Sequence, residues 1–259
     1  KLIRINMKLG VNIDHVAVLR EARRVNDPNI LNAMFTAINA GADQITIHLR
    51  EDRRHIDDTD TINIINLCTI PVNLECATAI TDIVLELSPH RATIVPERRE
   101  ELTTEGGLNL ASPELPSTIA AMNETGIDVS LFIDPNSDDI IAAKELGANT
   151  IELHTGSFAN AYLMAYSNIP KTKFSIKSLE HTNAKEALEF ELDRLKKAAK
   201  FAKNIGLNVA AGHGLNYQNV GLIANIPEIF ELNIGQSIIA RSIFTGLSQA
   251  IKDMKELIK

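Results

Sequence analysis

The sequence is poor in cysteine, and its two thiols, Cys68 and Cys76, form no recognisable site. Their spacing fits neither a zinc ribbon nor a redox C-x-x-C pair, and two cysteines make a poor disulfide framework. We interpret both as buried apolar side chains, which is a common environment for free cysteine. A disulfide-stabilised scaffold is therefore not expected.

Long hydrophobic runs and a secretion signal are also missing. No apolar run approaches the roughly 20 residues that span a bilayer. Arg4, Asn6 and Lys8 interrupt the apolar stretch that a signal peptide requires near its N-terminus. We therefore expect a cytoplasmic protein, with Met7 as a candidate start and residues 1–6 as a candidate extension.

Positive charge is in deficit, because 26 Lys and Arg residues face 33 Asp and Glu residues and give a net charge of −7. This balance argues against a general attraction to nucleic acid or anionic membranes. An anionic substrate must then be met by local cations and backbone amides. The sequence also lacks a Walker loop, a G-x-G-x-x-G turn and a G-x-S-x-G elbow.

What is present is a regular alternation of short β-rich runs and helical patterns along all 259 residues. We predict strands at 10–14, 44–49, 72–76, 91–95, 129–134, 150–154, 208–211 and 229–234. We predict helices at about 28–40, 60–68, 79–87, 115–125, 137–146, 185–205, 217–225 and 237–258. Glycines 41, 126, 147 and 206 stand where a helix should end before the next strand. Eight βα units predict a parallel sheet that closes into a barrel.

The strands carry apolar residues on one face and polar residues on the other. In the second strand Ile45 and Ile47 alternate with Thr46 and His48, and the third, sixth and eighth strands behave alike. An open sheet covered by helices on both faces should instead have nearly continuous apolar strands. We therefore predict one (β/α)8 TIM-barrel domain over residues 1–259, with a polar lumen and extra loop or helical insertions.

Two connections are too long to be simple links. Residues 96–114 follow the fourth strand and residues 155–183 follow the sixth. Long loops at strand C-termini are where barrel enzymes place lids and ligand contacts. For most of 158–183 we favour a plain surface insertion.

Polar side chains, most of them titratable, gather at the C-terminal ends of the predicted strands, where barrel active sites lie. They are Asn12, Asp14 and His15 on the first strand, His48 and Arg50 on the second, Glu75 on the third, Glu152 and His154 on the sixth, and His213 on the seventh. A single histidine in a strand is more often structural. Five strands with such groups at one end instead indicate proton-transfer chemistry, because each buried charge is costly unless paired.

Metal binding is the alternative use of these groups. The spacing from His48 to His55 fits no helical zinc motif, and the arginine-rich stretch between them would repel a cation. Ligands drawn from different strands keep a metal site open as an alternative. A Schiff-base lysine is disfavoured, because no lysine ends a predicted strand.

Glycines after the seventh and eighth strands indicate phosphate binding. They are Gly212 and Gly214 around His213, and Gly235 just before Gln236 and Ser237. Glycine lets an anion approach the backbone, and the free N–H groups of a helix start attract it. Candidate cations are Arg20, Arg23, Arg24, Arg50, Arg53 and Arg54.

A series of motifs resembles the pyridoxine 5′-phosphate synthase family. They are GVNIDH at 10–15, IHLREDRRH at 47–55, NLE at 73–75, TTEGG at 103–107, IELHTG at 151–156, AGHGL at 211–215 and ELNIG at 231–235. They occur in order over nearly the whole chain. The resemblance implies a homo-octameric (β/α)8 barrel that condenses 3-amino-2-oxopropyl phosphate with 1-deoxy-D-xylulose 5-phosphate in vitamin B6 biosynthesis. It implies acid–base chemistry with no metal and no cofactor, giving pyridoxine 5′-phosphate, phosphate and water.

The resemblance also implies a role for each matching residue. His48 and Glu75 would accept protons, His213 would donate one, and Glu152 would stabilise a transition state. The amino-ketone phosphate would be held by Asn12, Arg23, Gly214, Gly235 and Gln236. The deoxyxylulose phosphate would be held by Asp14, His15, Arg50, His55 and Thr103.

One position departs from the family pattern, and two other functions remain open. The family often has histidine where this chain has Gln236, which matters only if the side chain holds the phosphate. A sugar-phosphate epimerase or metal-dependent aldolase could use the same barrel, and bound metal would distinguish it. A barrel kept for binding alone is the third class, against which His48, Glu75 and His213 argue.

Overall fold

The structure is a computed structural model that describes residues 7–97 and 106–259. Within these ranges the chain forms eight strands and eleven α-helices. The strands are β1 (Lys8–Asn12), β2 (Gln44–His48), β3 (Val72–Cys76), β4 (Arg91–Ile94), β5 (Asp128–Ile133), β6 (Thr150–His154), β7 (Asn208–Gly212) and β8 (Ile229–Ile234).

The helices lie between the strands and after β8. They are α1 (Asp14–Glu21), α2 (Ile30–Ala40), α3 (Asp58–Leu67), α4 (Thr81–Leu87), α5 (Leu115–Glu124), α6 (Ser137–Glu145), α7 (Gly156–Tyr166), α8 (Ala184–Asn204), α9 (Val220–Ala224), α10 (Gln236–Thr245) and α11 (Leu247–Leu257). None of the helices in the described ranges is long and apolar enough to cross a membrane.

The described strands form one closed parallel barrel in the order β1 to β8, and β8 pairs with β1 to complete it. The predicted (β/α)8 barrel is therefore confirmed. The barrel forms because apolar and polar residues alternate within each strand, so one face packs against helices and the other faces the lumen. Ile45 and Ile47 are fully buried on the helix-facing side of β2, while Thr46 and His48 are buried on the lumen side. The lumen is polar, as predicted.

The first strand ends earlier than its sequence predicts. We predicted a strand at 10–14, but β1 ends at Asn12 and α1 begins at Asp14. The Asn12 Oδ1 accepts a hydrogen bond from the Asp14 backbone N–H at 2.9 Å, which turns the chain into the helix. Helix α1 was missed because only eight residues carry its pattern, and Val16, Ala17 and Arg20 give its buried face.

The expectation of a plain surface insertion over 158–183 is wrong for its first part. Residues Gly156–Tyr166 form α7, with Phe158, Ala159 and Ala161 buried. An added Cβ at Gly214 would lie only 2.6 Å from the Ala159 Cβ, so α7 packs tightly against the turn after β7. The spacing of Phe158, Ala161 and Tyr162 is the helical signal that we underweighted.

The final predicted helix is interrupted. Instead of one helix over 237–258, α10 and α11 are separated at Gly246, which has a φ of 80°. That left-handed conformation ends the hydrogen-bond pattern of α10 and redirects the chain. Helix α11 then returns to pack against α2, close to the β8–β1 closure of the barrel.

Candidate active site

A cavity of about 410 Å³ opens at the C-terminal ends of the strands. Its lining residues come from β1, β3, β5, β6 and β8, from the segments after β4, β7 and β8, and from helices α1, α7 and α10. They are Asn12, His15, Glu75, Val95, Phe132, Glu152, Leu163, His213, Gly214, Leu215, Asn216, Asn233, Ile234, Gly235 and Gln236. Because parallel strands end on one side of a barrel, residues far apart in sequence meet here.

Eight of the predicted site residues line this cavity. They are Asn12, His15, Glu75, Glu152, His213, Gly214, Gly235 and Gln236. Both predicted carboxylates from β3 and β6 therefore share one space with the predicted histidine after β7. Leu163 shows that α7 closes one wall of the same space.

His48 stands next to this group. It ends β2 and is paired in register with Glu75 on β3. Its backbone N–H donates to the Asp14 Oδ1 at 2.9 Å, so the start of α1 is tied to the end of β2. Its Nε2 lies 3.5 Å from the Glu97 Oε2.

Glu97 is a buried carboxylate that sequence analysis missed. Its Oε1 accepts a hydrogen bond from the Glu51 backbone N–H at 2.9 Å and lies 3.6 Å from the Arg50 Nε. It therefore contacts two predicted site residues, Arg50 and His48, from the loop after β4. The signal was available, because Glu97 follows the end of a predicted strand by two residues.

Arg50 and His55 lie on the loop after β2. Arg50 is 6% exposed, and its Nε is 3.5 Å from the Asp52 Oδ1. The His55 ring centroid is 6.2 Å from that of His48, and its Nδ1 accepts from the Ile56 backbone N–H. Helix α1 also holds this loop, because its residue Arg20 donates to the His55 carbonyl oxygen at 2.7 Å.

Six predicted site residues are not among the described residues that line the cavity. Asp14, His48, Arg50 and His55 make the neighbouring contacts described above, and two others remain. Arg23 follows α1, is exposed and does not line the cavity. Thr103 lies outside the described residues, as do its neighbours at 104 and 105. The described end of that loop approaches the barrel, because an added Cβ at Gly107 would lie 2.3 Å from the Asp134 backbone nitrogen.

The carboxyl groups of the cavity resist ionisation. Burial raises the pKa of Glu75 well above its ordinary value, and the nearby charges of Glu152 and Asp14 add to the rise. Burial also raises the pKa of Glu152 to about 7, while a hydrogen bond from Asn233 opposes the rise. A carboxyl group with a raised pKa can exchange protons near neutral pH.

The pKa values of the site histidines are lowered instead. Burial lowers the pKa of His213 to about 4, helped by the charges of His154 and His15. Burial likewise lowers the pKa of His15 and of His55, against the opposing charge of Asp14. With this lowered pKa the His213 imidazole is neutral at pH 7.

His213 is held in an unusual backbone conformation. Its φ is 77°, and the following Gly214 has the same φ. A left-handed conformation costs energy for a residue with a Cβ. The turn places the His213 ring 5.1 Å from the His154 ring, which in turn contacts Asp134 through its Nδ1 at 3.2 Å. Asp134 is a second strand-end carboxylate that sequence analysis left out.

The turn after β8 supplies an anion-binding geometry. Gly235 precedes α10, and an added Cβ there would lie 2.9 Å from the Asn12 Cβ, so only glycine fits. Gln236 is the first residue of α10 and lines the cavity. The unsatisfied N–H groups and positive dipole end of this ten-residue helix can hold a phosphate.

Among residues 7–97 and 106–259, no three His, Cys, Asp or Glu side chains cluster in a way that could hold a metal ion. The groups that do meet can accept and donate protons, and the two glycine turns can bind anions.

The family model described as "Pyridoxal phosphate biosynthesis protein PdxJ" matches residues 9–259. A Campylobacter fetus protein named pyridoxine 5′-phosphate synthase is 62% identical over 257 residues, which covers 98% of this chain and 100% of the relative. A protein of the same name from Aliarcobacter butzleri is 58% identical over 259 residues, covering 98% of this chain and 99% of the relative.

Solved structures agree in fold. The structure titled KGPDC from Streptococcus mutans has a TM-score of 0.60 at 12% identity, and the match covers 97% of each chain. The N-(5′-phosphoribosyl)anthranilate isomerase from Pyrococcus furiosus has a TM-score of 0.55 at 12% identity, covering 97% of this chain and 98% of that one. At such identities the likeness concerns the fold alone.

Proposed function

Since the chain belongs to the PdxJ family of pyridoxal phosphate biosynthesis proteins, it is a pyridoxine 5′-phosphate synthase, and we propose the reaction that it performs. It condenses 3-amino-2-oxopropyl phosphate with 1-deoxy-D-xylulose 5-phosphate to give pyridoxine 5′-phosphate, inorganic phosphate and water. The observation that carries this proposal is one cavity that holds two carboxyls of raised pKa beside a histidine and two glycine turns.

The proton acceptors in this proposal are His48 and Glu75. Ring closure requires protons to be removed from carbon and nitrogen atoms of the joined substrates. Once ionised, a carboxylate whose pKa is raised is a stronger base than an ordinary one, so it can take such a proton and return it later. Glu75 meets this requirement by burial, and His48 lies beside it in the register of β2 and β3.

His213 is the proposed proton donor. Its low pKa in the ligand-free site would make it a poor acid at pH 7. A phosphate dianion bound beside it favours the imidazolium form, because an opposite charge within about 4–6 Å raises a histidine pKa. Substrate binding therefore prepares His213 to protonate a leaving group. Glu152 stabilises positive charge that develops during ring closure.

The two phosphorylated substrates occupy different sides of the cavity in this proposal. The turn residues Gly214 and Gly235, with Asn12 and Gln236, hold the amino-ketone phosphate through backbone N–H groups. Asp14, His15, Arg50, His55 and Thr103 hold the deoxyxylulose phosphate. Arg23 is exposed away from the cavity lining, so its assignment to the first phosphate stays a prediction.

The proposal extends to the setting in which the enzyme works. We propose a homo-octamer in the cytoplasm that uses no metal and no cofactor, on the basis of the family resemblance. Sedimentation of the purified protein tests the octamer, and a dimer or tetramer would contradict it.

Turnover with both substrates tests the reaction. Purified protein is mixed with the two phosphates, and formation of pyridoxine 5′-phosphate is followed by its absorbance together with phosphate release. Each substrate alone and the Glu75→Gln variant serve as controls. Product in the presence of a chelator is expected. No product under any condition, or strict dependence on a stoichiometric metal, would overturn the proposal.

A further inference from the structure

We propose that Asn233 is a positioning residue that fixes the Glu152 carboxylate for the reaction, and that Thr46 fixes Asn233 in turn. The inference rests on the proposed function, in which Glu152 faces the joined substrates. Thr46 does not line the cavity, so its effect must pass through Asn233.

The contacts form one directed chain. The Asn233 Nδ2 donates to the Glu152 Oε2 at 2.7 Å. On the other side, the Asn233 Oδ1 accepts from the Thr46 Oγ1 at 3.0 Å and from the Gln44 Nε2 at 3.3 Å. An ionised carboxylate only accepts hydrogen bonds, so this arrangement requires the amide nitrogen to face Glu152. Two donors on the oxygen side prevent the amide from turning over.

The backbone makes room for this chain at two glycines. Gly10 on β1 and Gly212 on β7 are the register partners of Asn233 on its two sides. An added Cβ at Gly10 would lie 1.9 Å from the Asn233 Oδ1, and one at Gly212 would lie 2.1 Å from the Glu152 Oε1. Both neighbouring strands therefore lack a side chain at the point where Asn233 and Glu152 need the space.

The far end of the chain is anchored by an ion pair. Gln44 Nε2 also donates to the Glu231 Oε1 at 3.1 Å, and Arg91 Nη1 donates to the same oxygen at 2.6 Å. Gln44 is 2% exposed and Glu231 is 2% exposed. Contacts at the N-terminal ends of the strands therefore fix the orientation of the Asn233 amide, and through it the position of the Glu152 carboxylate.

The hydrogen bond from Asn233 favours the ionised form of Glu152 against its burial. Other charged groups act on Glu152, line its cavity or contact a lining side chain, and a shift in the Glu152 pKa must be interpreted against them. They are Glu75 on β3, Arg91 on β4, Glu231 on β8, His15 on α1, His154 on β6 and His213 after β7. Loss of the Asn233 donor should raise the pKa of Glu152 further, because hydrogen bonds to the charged form stabilise it.

The test removes one hydroxyl that does not touch substrate. Thr46→Val keeps the side-chain shape and deletes the donor to Asn233, while Thr46→Ser keeps the donor. Thr61→Val is the matched control, because Thr61 is equally buried but lies in α3 and donates to the carbonyl of Asp57, just before that helix. Thr46→Ala provides the same comparison should the valine variant not fold.

The readout is the titration of the Glu152 carboxyl by infrared difference spectroscopy, with its band assigned by its loss in Glu152→Gln. In Thr46→Val the Asn233 oxygen keeps only the longer 3.3 Å contact from Gln44, so the amide loses its fixed orientation and its hydrogen bond to Glu152 is weakened. The midpoint should then rise by about one pH unit, which is the size of one net hydrogen bond. Turnover at pH 7 should fall about tenfold with KM within twofold. Thr46→Ser should restore both values, and Thr61→Val should leave them unchanged.

The outcomes test the positioning role of Asn233 and the proposed synthase function separately. An unmoved Glu152 midpoint in folded Thr46→Val, an equal shift in Thr46→Ser, or an equal shift in Thr61→Val would overturn the positioning role. A wild-type protein without synthase turnover, in which Thr46→Val still moves the carboxyl band, would overturn the proposed function and leave the positioning role standing.

Discussion

The two ends of the barrel lumen bury charge in different ways. At its base, which we define as Gln44, Arg91, Asp128 and Glu231, Arg91 donates to Asp128 at 2.7 Å and to Glu231 at 2.6 Å. At its mouth, which we define as Glu75, Glu152 and His213, burial and neighbouring like charges disfavour the charged forms. The base neutralises its charges and holds the strands together, whereas the mouth keeps groups ready to exchange protons.

This contrast explains why buried charges are tolerated in one small lumen. A buried ion pair offsets much of its desolvation cost through short charged hydrogen bonds. A carboxyl without such compensation responds by a raised pKa instead. Substitutions at the base should therefore destabilise the fold, whereas substitutions at the mouth should change catalysis without destabilising it.

The largest effect is expected from Glu75→Gln at the mouth. The shape of the side chain is kept while the base is lost, so kcat should fall by about 10²–10⁴-fold. The fold should persist, as measured by circular dichroism and thermal unfolding. Turnover within threefold of wild type would contradict a catalytic role for Glu75, and with it the proposed difference between mouth and base.

Arg91→Met tests the base. It leaves Glu231 buried without its ionic partner, which should cost about 3–5 kcal/mol in the free energy of unfolding. Denaturant unfolding measures this loss. The double substitution Arg91→Met with Glu231→Leu removes both charges and should recover most of the stability. A double variant as unstable as the single one would contradict the ion-pair explanation.

The pH dependence of stability sharpens the comparison. The pKa of Glu152 rises from 4.5 to about 7 on folding, so its stabilising contribution is complete below about pH 4.5 and is lost as pH rises through 7. The loss is about 3 kcal/mol. Glu152→Gln removes this term, so the variant should gain stability relative to wild type between pH 5 and pH 8. A stability difference that is independent of pH would contradict the raised pKa.

Arg50, beside the mouth, is as deeply buried as Arg91 at the base, since each is 6% exposed. Arg50→Ala should weaken binding of the deoxyxylulose phosphate by about 1.5–3 kcal/mol, which is roughly a 10- to 150-fold rise in KM. Arg53→Ala is the control, since Arg53 donates to Asp58 at 2.9 Å and should change KM less than about threefold. Steady-state kinetics, with the concentration of the deoxyxylulose phosphate varied, distinguish Arg50→Ala from Arg53→Ala. An unchanged KM for Arg50→Ala would exclude a contact between Arg50 and this substrate.

The smallest effect is expected from Gln236→Ala. If the start of α10 holds phosphate through backbone N–H groups, loss of the side chain should change the KM for the amino-ketone phosphate by less than about threefold. Kinetics with that substrate varied provide the measurement. A rise of tenfold or more would show that the Gln236 side chain itself contacts the phosphate.

Much of the fold was predictable because its causes are local. Each strand carries its own alternation, so six of the eight predicted strands begin at the observed residue, and the bounds of all eight differ by at most two residues. Gly41, Gly126, Gly147 and Gly206 all have φ between 81° and 99°, as their predicted helix-ending positions require. Helix α7 was missed because the long connection in which it lies was interpreted as a whole rather than by its own spacing.

Parts of the candidate site depended on contacts that no local pattern records. Glu97 meets His48 across β3, and Asn233 meets Glu152 across β7. The alternation of the eighth strand implies that Asn233 faces the lumen, but no local pattern identifies its partner. Sequence also suggested that His48, Glu75 and His213 end their strands on one side, but not how deeply each is buried.

The amino-acid sequence by itself determined the strand alternation, the helix ends and the kinds of chemical group offered at the strand ends, because these depend on neighbouring residues. Only the closed barrel decided which groups meet, because β8 lies beside β1 although more than 200 residues separate them. Burial in that closed space, and the charges that it brings together, then set which carboxyls are paired at the base and which resist ionisation at the mouth.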